Sequence, residues 1–197
     1  MRGLAAASVF LLAACAQGEA APDPAQCLAA LDRLGMRYSR AAPPTGPAAC
    51  SVRNPVEVSA AGVAWSPPVV VNCAFALRLD TFARQDVQAA ALAHFGQRVT
   101  LIRQIGAHSC RRETGSKSRW SQHATGSALD VAGFELADGT AITVEQDWRG
   151  RGPKRDFLRD VAHRACKRFS VVLTPNSNRD HRDHIHIDIG PYKLCHA

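Results

Sequence analysis

The sequence predicts an α+β domain, a small antiparallel sheet carrying a metal site, flanked by helices and stapled by disulfides. Three observations support this. Helical and strand-like stretches follow one another without regular alternation, and Asp138-Gly139 between two apolar runs marks a hairpin. Of seven cysteines in 197 residues, six (Cys27, Cys50, Cys73, Cys110, Cys166 and Cys195) are spread along the chain, which in an oxidising compartment predicts three disulfides. Hydrophobic residues make up 46% and charged residues 21%, enough for one core and incompatible with a disordered, collagen-like or polytopic membrane chain.

At the N-terminus, Arg2 precedes an apolar run from Leu4 to Ala14, shorter than the roughly 20 residues that span a bilayer, and this reads as a secretory signal. Leu12-Ala13-Ala14-Cys15 resembles the bacterial lipoprotein box. The expected organisation is a signal peptide at 1–14, a lipidated Cys15 opening a tether at 15–25, and one domain at 26–197. The expected location is the periplasm, with Ala16 after Cys15 resembling outer-membrane sorting. The alternative is ordinary cleavage near Ala20-Ala21, with Cys15 discarded.

Within the domain, the spacing of Cys27, Leu28, Leu31 and Leu34 predicts a helix from Pro24 to Leu34, stopped by Gly35. Residues 41–49 are proline-rich loop. Val52–Val58 alternates as a strand, which Pro55 assigns to a sheet edge. After Pro67-Pro68, the run Cys73–Phe95 carries Leu77, Phe82, Val87, Ala91 and Leu92. With Asn72 as cap and Gly96 as stop, it predicts one long or two short helices. Val99–Ile105 is a buried strand, and Ser109–Gln122 a polar loop of functional character. Strands at Leu129–Leu136 and Ala141–Val144 flank the hairpin turn. The clearest helix covers 153–169, with Phe157, Leu158, Val161, Ala162, Ala165, Cys166 and Phe169 on one stripe and Pro153 in its first turn. Short strands follow at Val171–Leu173 and His184–Ile189. No two cysteines have the spacing of a zinc knuckle. Fifteen pairings are open to six cysteines; Cys27 and Cys50 bracket one proline-rich excursion, which suggests Cys27–Cys50 and leaves Cys110–Cys166 and Cys73–Cys195. Trp65, Trp120 and Trp148 read as packing residues.

Lys and Arg outnumber Asp and Glu by 24 to 17, a formal charge of +7, which favours anionic partners. Basic residues concentrate at 111–119 and 149–168. No nucleic-acid recognition motif is present, so nucleic acid is not an expected partner. A monomer is expected.

The chemistry sits in two segments. In His181-Arg182-Asp183-His184-Ile185-His186-Ile187-Asp188-Ile189, alternation sends the isoleucines to one face and His184, His186 and Asp188 to the other. In Ser121-Gln122-His123-Ala124-Thr125-Gly126-Ser127-Ala128-Leu129-Asp130, the core residue Leu129 leaves Asp130 a carboxylate in need of a partner. A metal shared by His123, Asp130 and His186 satisfies it and leaves one coordination position for water, the pattern of a catalytic zinc. The alternative is a solvated polar face, with Asp130 paired to an arginine and His123 capping a turn. Asp183 shares the parity of Ile185, so residues 181–183 must turn before the strand begins if it is to face the metal. His181 and Asp188 read as solvated, the alternative being that they orient the ligand imidazoles.

Ser-x-His-x-x-Gly-x-Ala-x-Asp at 121–130 together with Asp-His-x-His at 183–186 resembles the zinc site of the superfamily of lysostaphin-type endopeptidases, D-Ala-D-Ala carboxypeptidases and hedgehog domains. Within it, the six cysteines, Val-Leu-Thr-Pro at 172–175, Ala-Gly-Phe at 132–134 and the Asp-Gly hairpin resemble the bacterial extensin-like C-terminal domain family, over most of the chain from Cys27 to Cys195. The resemblance implies one zinc ion on His123, Asp130 and His186. It implies Asp183 as general base toward the attacking water and His184 as support for the developing oxyanion. Arg111, with Arg112 an equal contender, then receives the substrate carboxylate. The implied activity is that of a D,D-carboxypeptidase or endopeptidase on peptidoglycan peptides, held to a membrane by its lipid. The alternative is a non-catalytic wall-binding domain that keeps the zinc site, as hedgehog-type relatives do.

Overall fold

The computed structural model describes residues 23–197, so the expected signal peptide, Cys15 and most of the tether lie outside the described residues. Asp23 caps α1 (Pro24–Arg33), its carboxylate accepting from the Ala25 amide, and the chain reverses through Gly35 into β1 (Arg37–Arg40). A hairpin of β2 (Pro55–Ala61) and β3 (Val63–Asn72) follows. Asn72 then starts a continuous helical run of α2 (Cys73–Thr81), a π-helical segment (Phe82–Val87) and α3 (Gln88–Phe95). Its Oδ1 accepts from the Phe75 amide at 2.8 Å, and Gly96 ends the run in the left-handed region. This run is the crossover that lets β4 (Val99–Gly106) lie parallel to β3.

After the loop of residues 107–127 come β5 (Ala128–Leu136), β6 (Ala141–Thr143) and the short α4 (Val144–Asp147). The amphipathic α5 (Pro153–Arg168), β7 (Val171–Leu173), β8 (Ile185–Asp188) and β9 (Leu194–Cys195) complete the described chain. The strands form one sheet in the order β1-β2-β3-β4-β5-β8-β7-β9, with β6 on the flank of β5. All pairings are antiparallel except β3 with β4 and β7 with β9.

The α+β class holds, but the sheet is large, with nine strands, and mixed rather than small and antiparallel. The difference lies in strands that the residues disguise. β3 carries Pro67-Pro68, yet Val63, Trp65, Val69 and Val71 alternate into the core around them, and the two prolines fall in a stretch that neither neighbouring ladder needs. Pro55 is likewise no edge marker. It is the first residue of β2, a position that needs no ladder donor, and β2 is flanked by β1 and β3.

One contiguous core joins the sheet to the helices. Phe169 meets Phe75 and Phe82 edge-on, and Phe157 does the same with Phe95 and Phe134. Leu129, Val131, Ile185, Ile187 and Val172 face this core, so the alternate residues of β5, β8 and β7 face the other way. Trp65 and Trp148 are packed in the core as expected, whereas Trp120 lies under the Arg112 guanidinium, 4.0 Å from the ring centre.

All six cysteines are paired, as Cys27–Cys73, Cys50–Cys110 and Cys166–Cys195, with Cα separations of 6.2, 5.3 and 5.6 Å. The pairs Cys27–Cys50, Cys110–Cys166 and Cys73–Cys195 are therefore incorrect. Nearness along the chain does not decide pairing, because a bridge needs Cα atoms within about 7 Å. Packing of α1 on α2 brings Cys27 to Cys73, and the proline-rich excursion lies against the 107–127 loop, bringing Cys50 to Cys110.

Candidate metal centre

His123 enters the centre from a 3-10 turn (Gln122–Thr125) whose cap is Ser121, the hydroxyl accepting from the His123 amide. The turn stops at Gly126, whose φ of 63° and close approach to Asn72 leave no room for a Cβ. Asp130 stands on β5 directly opposite His186 on β8, so both side chains leave the same face of the sheet. On the far side of Asp130, Gly106 of β4 occupies the paired position. A Cβ there would lie 2.7 Å from Asp130 Oδ2, so the glycine makes space for the carboxylate.

Three donors converge. Asp130 Oδ1 lies 2.9 Å from His186 Nδ1 and 3.2 Å from His123 Nε2, and the two nitrogens are 3.2 Å apart. His123, Asp130 and His186 are the group among the described residues able to hold a metal ion. The neighbours fix which atoms face inward. His123 Nδ1 donates to the Ala107 carbonyl at 2.6 Å, leaving Nε2 as the ligand atom, and His186 Nε2 donates to Asp188 Oδ2 at 3.2 Å, leaving Nδ1. Two donors about 2.0–2.1 Å from a tetrahedral zinc stand about 3.3 Å apart, so this triangle fits such an ion.

In the metal-free protein the three groups are coupled through hydrogen bonds and opposite charge. Burial alone raises the Asp130 carboxyl, but hydrogen bonds and charge from His123 and His186 outweigh it and hold it far below the usual range. Burial pulls His186 down, yet its bonds to Asp130 and Asp188 prevail, and its pKa is pushed up to about 9. His181 is drawn down to about 4 by burial and by the neighbouring His184 and His186.

His184 directs Nε2 into the centre, 3.5 Å from Asp130 Oδ1, while its Nδ1 donates to Asp183 Oδ1 at 2.9 Å. That bond holds the Asp183 carboxyl below its ordinary value, helped by the charges of His184 and Arg182. As the parity argument required, residues 179–181 form a 3-10 turn and β8 begins only at Ile185. The turn brings Asp183 to the outer nitrogen of His184 rather than to the ligand triangle. Arg111 lines a cleft of about 550 Å³ that opens over the metal triad. Although nine residues separate it from Ser121, backbone bonds from Glu113 to Arg119 and from Ser121 to Arg111 close the intervening loop into a hairpin. Arg112, stacked on Trp120 and bonded to the Ser118 carbonyl, turns away from the cleft.

Residues 25–196 match the family model described as the extensin-like protein C-terminus. The chain belongs to that family. No curated protein and no solved structure gives a significant match. In this extensin-like domain, two positioning groups escape a reading of the residues alone: the Ala107 carbonyl and Gly106. A third, Asp188, is buried and bonded to His186, the alternative to the expected solvation. Its signal was visible, since it shares parity with His186 two residues earlier. The other two are backbone features of β4 and its exit, and carry no side-chain signature.

Proposed function

We propose that this chain is an exported, lipid-anchored zinc peptidase acting on peptidoglycan peptides, as a D,D-carboxypeptidase or endopeptidase. The observation that carries this reading is the convergence of His123 Nε2, Asp130 Oδ1 and His186 Nδ1, with His184 beside them, in a cleft lined by Arg111. The likeness of both motifs to the lysostaphin and D-Ala-D-Ala carboxypeptidase superfamily supports it. A zinc ion on these three residues supplies Lewis acidity toward a scissile carbonyl and lowers the pKa of a water toward about 7.

The chain's own residues do the remainder. His184 Nε2 takes the proton of the attacking water and returns it to the leaving amine. Asp183 accepts a hydrogen bond from His184 Nδ1, fixes its tautomer and stabilises the imidazolium without taking the proton, and so acts through His184 rather than as the direct base. Arg111 holds a substrate carboxylate. Cys15, outside the described residues, is the proposed anchor.

The test is incubation of the zinc-loaded protein with purified muropeptides. Product peaks abolished by a chelator, and reduced at least about 100-fold in His184→Ala at unchanged metal content, are expected. Firm wall binding with no product from any muropeptide would instead make this a wall-binding domain that keeps its metal centre.

A further inference from the structure

The face of the sheet that carries the metal triad continues past it as an apolar strip. Strand register places the residues in two rows. Asp130, His186 and Leu173 are paired in succession across β5, β8 and β7, while Asp188, Val171 and Leu194 are paired across β8, β7 and β9. Directly paired residues leave the same face. At a strand spacing of about 4.8 Å, Leu173 stands one strand and Leu194 two strands beyond the histidine–aspartate strand. Val172, between Val171 and Leu173, is fully buried on the opposite side. All three strip residues line the same cleft as the triad, and Leu194 and its neighbour Tyr192 remain 44% and 62% exposed.

Arg111, Glu113, Thr114 and Arg119 of the 111–119 loop line the same cleft. There, Arg119 is matched by Glu113 at 2.6 Å, but Arg111 touches only the carbonyl of Arg112, at 3.5 Å, and has no carboxylate partner among the described residues. The cleft thus brings together an unmatched cation, an aliphatic strip and the buried metal donors. A short peptide is complementary to all three. Its carboxylate faces Arg111, its carbonyl faces the metal donors, and a small aliphatic side chain lies on the strip.

We propose that Leu173, Val171 and Leu194 form an aliphatic subsite that selects the side chain of the substrate residue next to the scissile bond. The proposal rests on the reading of this centre as a peptidase. Each methyl buried there contributes a factor of about four, and a close fit raises the discrimination to ten or more.

The experiment uses the zinc-loaded protein and two muropeptides that differ only in alanine against glycine at the last two positions, with cleavage and calorimetric binding measured side by side. The alanine peptide is expected to be preferred about tenfold. Leu194→Ser and Leu173→Ser are expected to shrink that margin to about twofold at unchanged metal content, and Leu194→Met to retain most of it. An undiminished margin in both serine variants, with folded-state circular dichroism, overturns the subsite while leaving the peptidase reading intact. So do equal cleavage and equal binding of the two peptides by the parent protein. If neither peptide is cleaved, yet the alanine peptide binds more tightly and loses that advantage in Leu194→Ser, the peptidase reading fails and the subsite stands. If neither is cleaved and neither binds, both are overturned.

Discussion

His186 sits between two carboxylates, Asp130 at Nδ1 and Asp188 at Nε2, and in the metal-free protein it keeps both ring protons up to a pH of about 9. A metal ion takes Nδ1 and must displace one of them. Metal binding near neutral pH is therefore expected to release about one proton, and affinity to rise about tenfold per pH unit until it levels near pH 9. Calorimetric titrations in two buffers of different ionisation enthalpy read the proton directly. Stability of the metal-free protein runs the other way. The folded pKa lies above the unfolded value of about 6.5, so the stabilisation from this group is complete below about 6.5 and is lost as pH rises through about 9. A chelated sample whose melting temperature rose across that interval would contradict the geometry. Asp130 has the opposite sign, its contribution being present above about 3.9 and lost only in strong acid.

At the scale of elements, the centre is a row across four strands, with Gly106, Asp130, His186 and Leu173 on β4, β5, β8 and β7. Each member depends on its neighbour's size. Gly106→Ala places a methyl 2.7 Å from Asp130 Oδ2, on a carboxylate whose other oxygen, Oδ1, is held by His123 and His186. The variant is expected to fold and to bind metal about 10–100-fold more weakly, as measured by competition with a chelator of known affinity. The same row explains what could be read in advance. The parity of β5 and β8 was legible because Leu129, Val131, Ile185 and Ile187 announce the core face between the polar residues. Asn72 and Gly96 announced the helical run, and the apolar stripe of α5 announced itself. β1 and β9 were not legible, because a four-residue strand exposed at all but Tyr38 and a two-residue strand have no period to detect. β3 was hidden by prolines whose tolerance depends on which ladder they miss.

For the whole molecule, two of the bridges tie segments that line the cleft to distant parts of the chain. Cys50–Cys110 fastens the loop that carries Arg111, and Cys166–Cys195 fastens the strand that carries Leu194 to α5. Their pairing was invisible because it follows from tertiary packing, not from spacing. Replacing Cys50 and Cys110 together by alanine removes a closure between residues 60 apart and is expected to cost about 4 kcal/mol. Because the ligand triad is held by β5, β8 and the Ala107 carbonyl, metal content is expected to survive, while KM for a muropeptide rises more than kcat falls. Equilibrium denaturation and steady-state kinetics on the double variant check both halves.

β8 reaches its place by insertion, since its neighbours β5 and β7 both precede it in the chain. Without β8, β5 and β7 would face each other as two unpaired edges across a gap, and His186 would not stand beside Asp130. Closure of the sheet and assembly of the centre are thus one event, carried by a single four-residue strand.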